Sequence, residues 1–155
     1  QAEGEIISWT HADLQTDPGD VLQAYRKFKA QADQSRTFLK GRRLGRSLFD
    51  TFFTFGMSLI CSVLLKQRLF DVNAQPKMFH RSFLNLIDQP PDDFSLDLYV
   101  FSTARSHNLS VVEHPVRFHD RRYGEAKGGG SLRGKLRLIL RSWSYILRLK
   151  RRLDT

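Results

Sequence analysis

Ile6-Ile7-Ser8-Trp9-Thr10-His11-Ala12-Asp13-Leu14-Gln15-Thr16-Asp17-Pro18-Gly19-Asp20 is the stretch on which the reading of this chain turns. Ile6 to Trp9 is a short apolar run of the kind that forms a buried strand. Such a strand hands His11, Asp13, Gln15 and Asp17 to a loop at its C-terminal end, the edge where open α/β sheets bind ligands. A helix start follows, with Asp17 as N-cap, Pro18 at the first helical position and Asp20 three residues past the cap. A strand-end carboxylate with a neighbouring oxygen or nitrogen donor suits a divalent cation that carries a diphosphate. The competing reading is a strand–turn–helix junction whose acids only cap the helix.

Working outward, Val21, Leu22, Tyr25 and Phe28 recur at helical spacing and predict an amphipathic helix over 18–32. Segment 33–47 is polar and basic and reads as a loop ending in a helix start. Leu48 to Leu65 carries a single charge, Asp50, and predicts a helix buried against the sheet or lying in a membrane interface. Its length and apolarity make it a marginal transmembrane candidate, but Asp50, Thr51, Thr54, Gly56, Ser58 and Ser62 dilute it and polar segments flank it closely, which argues against a span. Residues 71–81 read as a loop leading into a strand at 77–80, followed by a helical turn at 82–87. Phe94 to Ser106 predicts a helix, with Asn108 as a left-handed cap. Leu109 to Phe118 alternates as a strand does, and Pro115 suggests a sheet edge. Residues 121–130 read as a flexible basic loop, and 131–153 as a long basic helix.

The chain of 155 residues is long enough for one domain with a core. Its single cysteine, Cys61, excludes an internal disulfide and sits in an apolar run, as a buried inert thiol would. Nothing reads as a Cys/His metal cluster. The net charge of +9 is concentrated in residues 105–155, which hold 13 Lys and Arg against 4 Asp and Glu, while residues 1–104 balance. Such a block favours an anionic partner: a lipid surface, a phosphorylated substrate or a nucleic acid. A strand so near the first residue needs neighbours. The chain is therefore expected to be a C-terminal portion of a sheet whose first strands are absent.

Three segments occur in order: a strand ending in Ala12-Asp13-Leu14-Gln15, then Gln75-Pro-Lys-Met-Phe-His-Arg81, then Glu113-His-Pro-Val-Arg-Phe118 followed by Arg122-Tyr-Gly-Glu-Ala-Lys127. Together they resemble the family 2 glycosyltransferases of the GT-A fold, and within them the polyprenol-phosphate sugar transferases of the dolichol-phosphate mannose synthase type. The resemblance spans residues 5 to 150. It implies an α/β, Rossmann-like nucleotide-diphospho-sugar transferase fold lacking its first strands. It also implies transfer of a sugar from a nucleotide-diphosphate donor to a polyprenyl-phosphate or other lipid-linked or envelope glycan acceptor, with inversion.

By the same resemblance, Asp13 matches the second acid of the family's Asp-Ala-Asp motif and Gln15 a further ligand, the two holding Mg2+ or Mn2+. His11 stands in place of the first acid, where imidazole favours Mn2+ or hydrogen-bonds the nucleotide. Gly124 and Lys127 match the family's phosphate-binding Arg-x-x-Gly-x-Ser-Lys motif, with Ala126 in place of Ser and Arg122 standing for the Arg at a spacing one residue shorter. Independently of the family, an Arg fork and a Lys point charge around a pliant glycine suit phosphate; the competing reading is a solvated basic linker. Asp97 matches an acid on a helix facing the active site, and would take the proton of a hydroxyl acceptor; the rival explanation is helix-dipole stabilisation or solvent exposure. Lys77 and Arg81 either face the acceptor or are surface charges on a sheet edge.

Residues 1–130 are thus expected to form the C-terminal part of a glycosyltransferase domain. Residues 131–155 are expected to form a basic amphipathic helix on the membrane interface, with Leu136, Ile139, Trp143 and Ile146 in its apolar stripe and Arg133, Arg137, Arg141 and Arg148 in its cationic one; the competing reading is a terminal helix that packs on the domain with a solvated basic face. The expected location is peripheral, on the cytoplasmic face of a membrane. The alternatives are a nucleic-acid-binding module using the basic tail and a catalytically inactive glycosyltransferase homologue.

Overall fold

The computed structural model describes residues 3–13, 15–45, 48–93, 95–119, 143–147 and 149–150, with the side chains of 49, 50 and 53 excepted. Four strands, β1 (Ile6–Trp9), β2 (Thr37–Leu44), β3 (Lys77–His80) and β4 (Ser110–Arg117), form one mixed sheet in the order β1-β3-β2-β4. β3 runs antiparallel to β1 and β2, while β2 and β4 are parallel. Three helices complete the fold: α1 (Gly19–Lys29), α2 (Leu48–Leu64) and α3 (Leu96–Ser106), with a 3-10 turn over Arg81–Leu86. This is a mixed α/β architecture.

The register explains the layers. Ser8, Met78, Leu39 and Val112 align across the four strands, and side chains so paired share a face. Met78 and Leu39 pack there with Ala24 and Phe28 of α1. The next row, Ile7, Phe79, Phe38 and Val111, faces the other way and joins α2 and α3 in the main core. Phe38 stacks between Phe79 and Phe101, with ring centroids 6.1 and 6.0 Å away. Each such ring contributes about 2–3 kcal/mol by burial.

Two backbone features hold the ends together. α3 closes with a Schellman motif: Asn108 takes φ 55, and the N–H groups of Asn108 and Leu109 bond the carbonyls of Arg105 and Ala104. Gly41 lets β2 approach the segment before β3, since a Cβ there would lie 2.0 Å from the Gln75 carbonyl oxygen.

The predicted loop at 33–47 is corrected: Thr37–Leu44 is an eight-residue strand at the heart of the sheet. Its lysine and arginines conceal it, because a strand is expected to be apolar where it is buried. α1 begins one residue later than expected, yet the Asp17 carboxylate still accepts from the Gly19 N–H at 2.7 Å. The strand at 77–80, the Asn108 cap and the edge position of β4 are as the sequence suggests. Of the expected C-terminal helix, residues 143–147 and 149–150 are helical, with Ile146 and Leu149 in the main core; the rest lies outside the described residues.

Candidate functional site

One cross-strand row is polar where its neighbours are apolar. Trp9, Lys77, Lys40 and Glu113 align at the C-terminal end of β1, on the face that carries α3. Lys77 and Lys40 are both completely buried. Two adjacent ammonium groups in a core demand counter-charge. Asp97, in the first turn of α3, lies 3.0 Å from Lys77 Nζ, and Glu113 lies 3.2 Å from Lys40 Nζ. Lys77 also donates to the carbonyls of Val72 and Ala74, and Lys40 to that of Gly41.

Asp97 is the hub of this row. Its Oδ1 accepts from Trp9 Nε1 at 3.2 Å, and both its oxygens accept from Gln75 Nε2 at 2.9 Å. Strand β1, the segment before β3, β3 itself and α3 therefore meet at one carboxylate. Gln75 Oε1 is buried without a partner among the described residues. Burial pushes Lys77 down to about 8, against the pull of Asp97. It lowers Lys40 too, opposed by Glu113 and Asp71.

A second ion pair braces the row. Arg43 Nε donates to Asp71 Oδ1 at 2.8 Å, and the Arg43 backbone N–H donates to Oδ2 at 2.9 Å. Burial works to raise the Asp71 carboxyl, but the bonds and charge of Arg43 outweigh it and hold the group below its usual value.

The loop after β1 crosses to the far strand. His119, just past β4, donates its N–H to the Gln15 carbonyl at 2.8 Å and accepts from Gln15 Nε2 at 3.3 Å. Asp13 Oδ1 accepts the Gln15 N–H at 3.3 Å, which folds the loop on itself. β2 and β4 extend four residues beyond the polar row, so a loop that starts at Trp9 and ends beside His119 passes across that end of the sheet. Asp13 and Gln15 are half-buried and His11 is exposed. Behind the loop, Asp20 is raised by burial against the opposing influence of His114, and His114 is lowered by burial.

An apolar groove of about 380 Å3 adjoins the row. Phe55 and Leu59 of α2 and Phe70 line one part of it, Phe101 and Glu113 another, and Arg68 and Arg105 bring positive charge to it. Glu113 thus belongs both to the groove and to the buried row.

The sequence-derived candidates fall into three groups. Asp13, Gln15 and His11 share the loop that reaches His119. Asp97 is 7% exposed and anchored to Lys77, so solvent exposure does not explain it. Lys77 lies inside the sheet, not on an edge, and Arg81 Nε donates to the Gly4 carbonyl at 3.0 Å, away from the row. Arg122, Gly124 and Lys127 lie outside the described residues. Lys40, Glu113, Gln75, Asp71 and Arg43 escaped sequence reasoning. The signal that could have found them is opposite charge at equivalent positions of two strands, Lys40 against Glu113. Among the described residues, no three His, Cys, Asp or Glu side chains group as a metal site, and no helix is long and apolar enough to cross a membrane. No family model and no solved structure matches the chain.

Proposed function

We propose that the chain is a glycosyltransferase part of the GT-A type, moving a sugar from a nucleotide-diphosphate donor to a polyprenyl-phosphate or other lipid-linked acceptor. One observation carries this reading. The loop bearing Asp13 and Gln15 is bonded to His119 at one end of the sheet, and Arg122 follows His119 by three residues in the sequence.

A diphosphate leaving group gathers negative charge as the glycosidic bond breaks. Asp13 and Gln15 would hold an Mg2+ or Mn2+ ion, which would offset that charge. Mg2+ is commonly held by one or two protein oxygens together with substrate phosphates. The Asp13 carboxylate and the Gln15 side chain are a donor set of that kind. His11 in the same loop adds an imidazole, which shifts preference towards Mn2+. Arg122 and Lys127 bind the phosphates, with Gly124 allowing the backbone to approach.

The groove supports a lipid acceptor over a polysaccharide, because an apolar channel built from α2 is what a prenyl chain requires. A lipid phosphate is already an anion and needs no strong base. That agrees with the geometry of Asp97, whose oxygens are directed at Trp9, Gln75 and Lys77. In this reading Asp97 positions Lys77 and Trp9 at the end of β1 and does not itself accept a proton. The basic residues of 131–153 are read as a membrane-surface contact, although Ile146, expected in the lipid-facing stripe, packs with Leu149 in the main core.

The test is sugar transfer from labelled nucleotide sugars to polyprenyl phosphate in detergent, by the full-length protein with Mg2+ or Mn2+. Asp13→Ala is expected to abolish transfer and to weaken metal-dependent nucleotide-diphosphate binding at least tenfold, with an unchanged circular dichroism spectrum. Wild-type turnover in that variant would rule out the metal role.

A further inference from the structure

Helix α2 keeps its most exposed positions apolar. Its inward positions are mixed: Ser58 and Cys61 are buried, and Met57, Ile60, Ser62 and Leu64 are half-buried. Its outward positions carry large apolar residues. Leu48, Phe52, Phe55, Leu59 and Val63 are 91, 77, 53, 52 and 67% exposed. Their spacing of four, three, four and four residues aligns them along one face. A helix at a water-facing surface normally carries polar residues there. Leu44 before the helix and Phe70 after it, 47 and 44% exposed, add to the exposed apolar surface.

Charge says what covers this face. Segment 42–68 contains five Lys and Arg against one acid, Asp50. Arg43 is consumed by Asp71. Lys66 and Arg68, just past the end of α2, are exposed. Arg68 and Arg105 line the same groove as Phe55, Leu59 and Phe70, so positive charge stands beside the apolar face. A protein partner would need a matching apolar surface. An anionic bilayer supplies apolar depth and headgroup charge together. A helix of 17 residues is about 25 Å long, too short to cross the hydrocarbon core with its flanking groups in water but suited to lying in the interface.

We propose that α2 is a membrane-docking element that lies in the plane of an anionic bilayer, its Leu48–Phe52–Phe55–Leu59–Val63 face among the acyl chains and Lys66 and Arg68 at the headgroups. Docking in this way brings the groove to the lipid phase. The inference does not depend on sugar transfer and stands or falls separately from it.

Vesicle flotation of the full-length protein tests it, using phosphatidylcholine vesicles with and without one quarter phosphatidylglycerol. Wild-type protein is expected to bind the anionic vesicles more tightly than the neutral ones. Leu48→Ser/Phe52→Ser/Val63→Ser is expected to weaken binding to the anionic vesicles at least tenfold, with an unchanged urea midpoint, since these side chains leave the core intact. The single variant Phe52→Ser is expected to show a smaller loss in the same direction. Unaltered binding in both variants would overturn the proposal and assign the membrane contact elsewhere. Sedimentation without lipid gives a second check: a wild-type dimer that the triple variant converts to monomer would mean the face closes on a second copy, which also overturns it.

Discussion

Lys77→Met probes the polar row at its most buried member. The ammonium is completely buried, 3.0 Å from Asp97, and its folded value falls from 10.5 to about 8 because burial outweighs the attraction of Asp97. That displacement corresponds to about 3 kcal/mol. Below about pH 8 both folded and unfolded chains hold the Lys77 proton, and the group adds no pH dependence. Between about 8 and 10.5 the unfolded chain holds the proton and the folded chain releases it, so stability rises with pH across that window. The variant loses this rise. It also leaves the Asp97 carboxylate buried with only Gln75 and Trp9 as donors, which costs about 3–5 kcal/mol at neutral pH. Urea unfolding followed by circular dichroism at pH 7, 8, 9 and 10 reads both effects. Wild type should exceed the variant at pH 7, and its lead should widen with pH. Lys40 titrates in both proteins and largely cancels in the difference. Parallel stability curves from pH 8 to 10 would refute the argument and mean that water reaches the ammonium.

Gly41→Ala places a Cβ 2.0 Å from the Gln75 carbonyl, a backbone atom that cannot swing aside. Unfolding should show a loss of about 3 kcal/mol or more, in the range of a severe overpacking change. Asp71→Asn removes the charge that balances Arg43, at a cost of about 3 kcal/mol at pH 7. Because the folded carboxyl of Asp71 lies below 3.8, the stability it confers is present above about pH 4 and lost as pH falls through the folded value. The gap between wild type and Asp71→Asn in urea midpoint should therefore narrow under acid conditions.

The sequence carries some of this fold on its surface. Ile6 to Trp9 is legible as a strand because three of its four residues are apolar, Lys77 to His80 because Met78 and Phe79 follow a loop, and Leu109 to Phe118 because it alternates. Thr37–Leu44 is not legible, because burial of Lys40 depends on Glu113, more than seventy residues away. No local pattern announces a charge whose partner is supplied by topology. Asp97 is legible as a candidate but its role is not. The helix periodicity places it, whereas its partners come from β1, β3 and the turn before β3. The resemblance makes Gln15 a ligand beside Asp13, whereas the bond to His119 that fixes the loop depends on strand order.

The polar row and the apolar outer face of α2 have a common origin in the turn between α2 and β3. Asp71 must sit beneath β2 to hold Arg43, which brings the backbone of residues 69–71 against α2. Ser58 Oγ accepts the Asp71 N–H at 3.2 Å, and Ser62 Oγ accepts the Leu69 N–H at 3.0 Å. An apolar residue at either position would leave a buried N–H without a partner, at about 1–3 kcal/mol each. Two inward positions of α2, Ser58 and Ser62, are therefore committed to hydroxyls by the needs of the ion pair. The outward face bears no such obligation, and a surface helix in water would fill it with Lys and Glu at little cost. Among the described residues its five large apolar side chains answer no packing requirement, and the proposed bilayer contact is one they would meet.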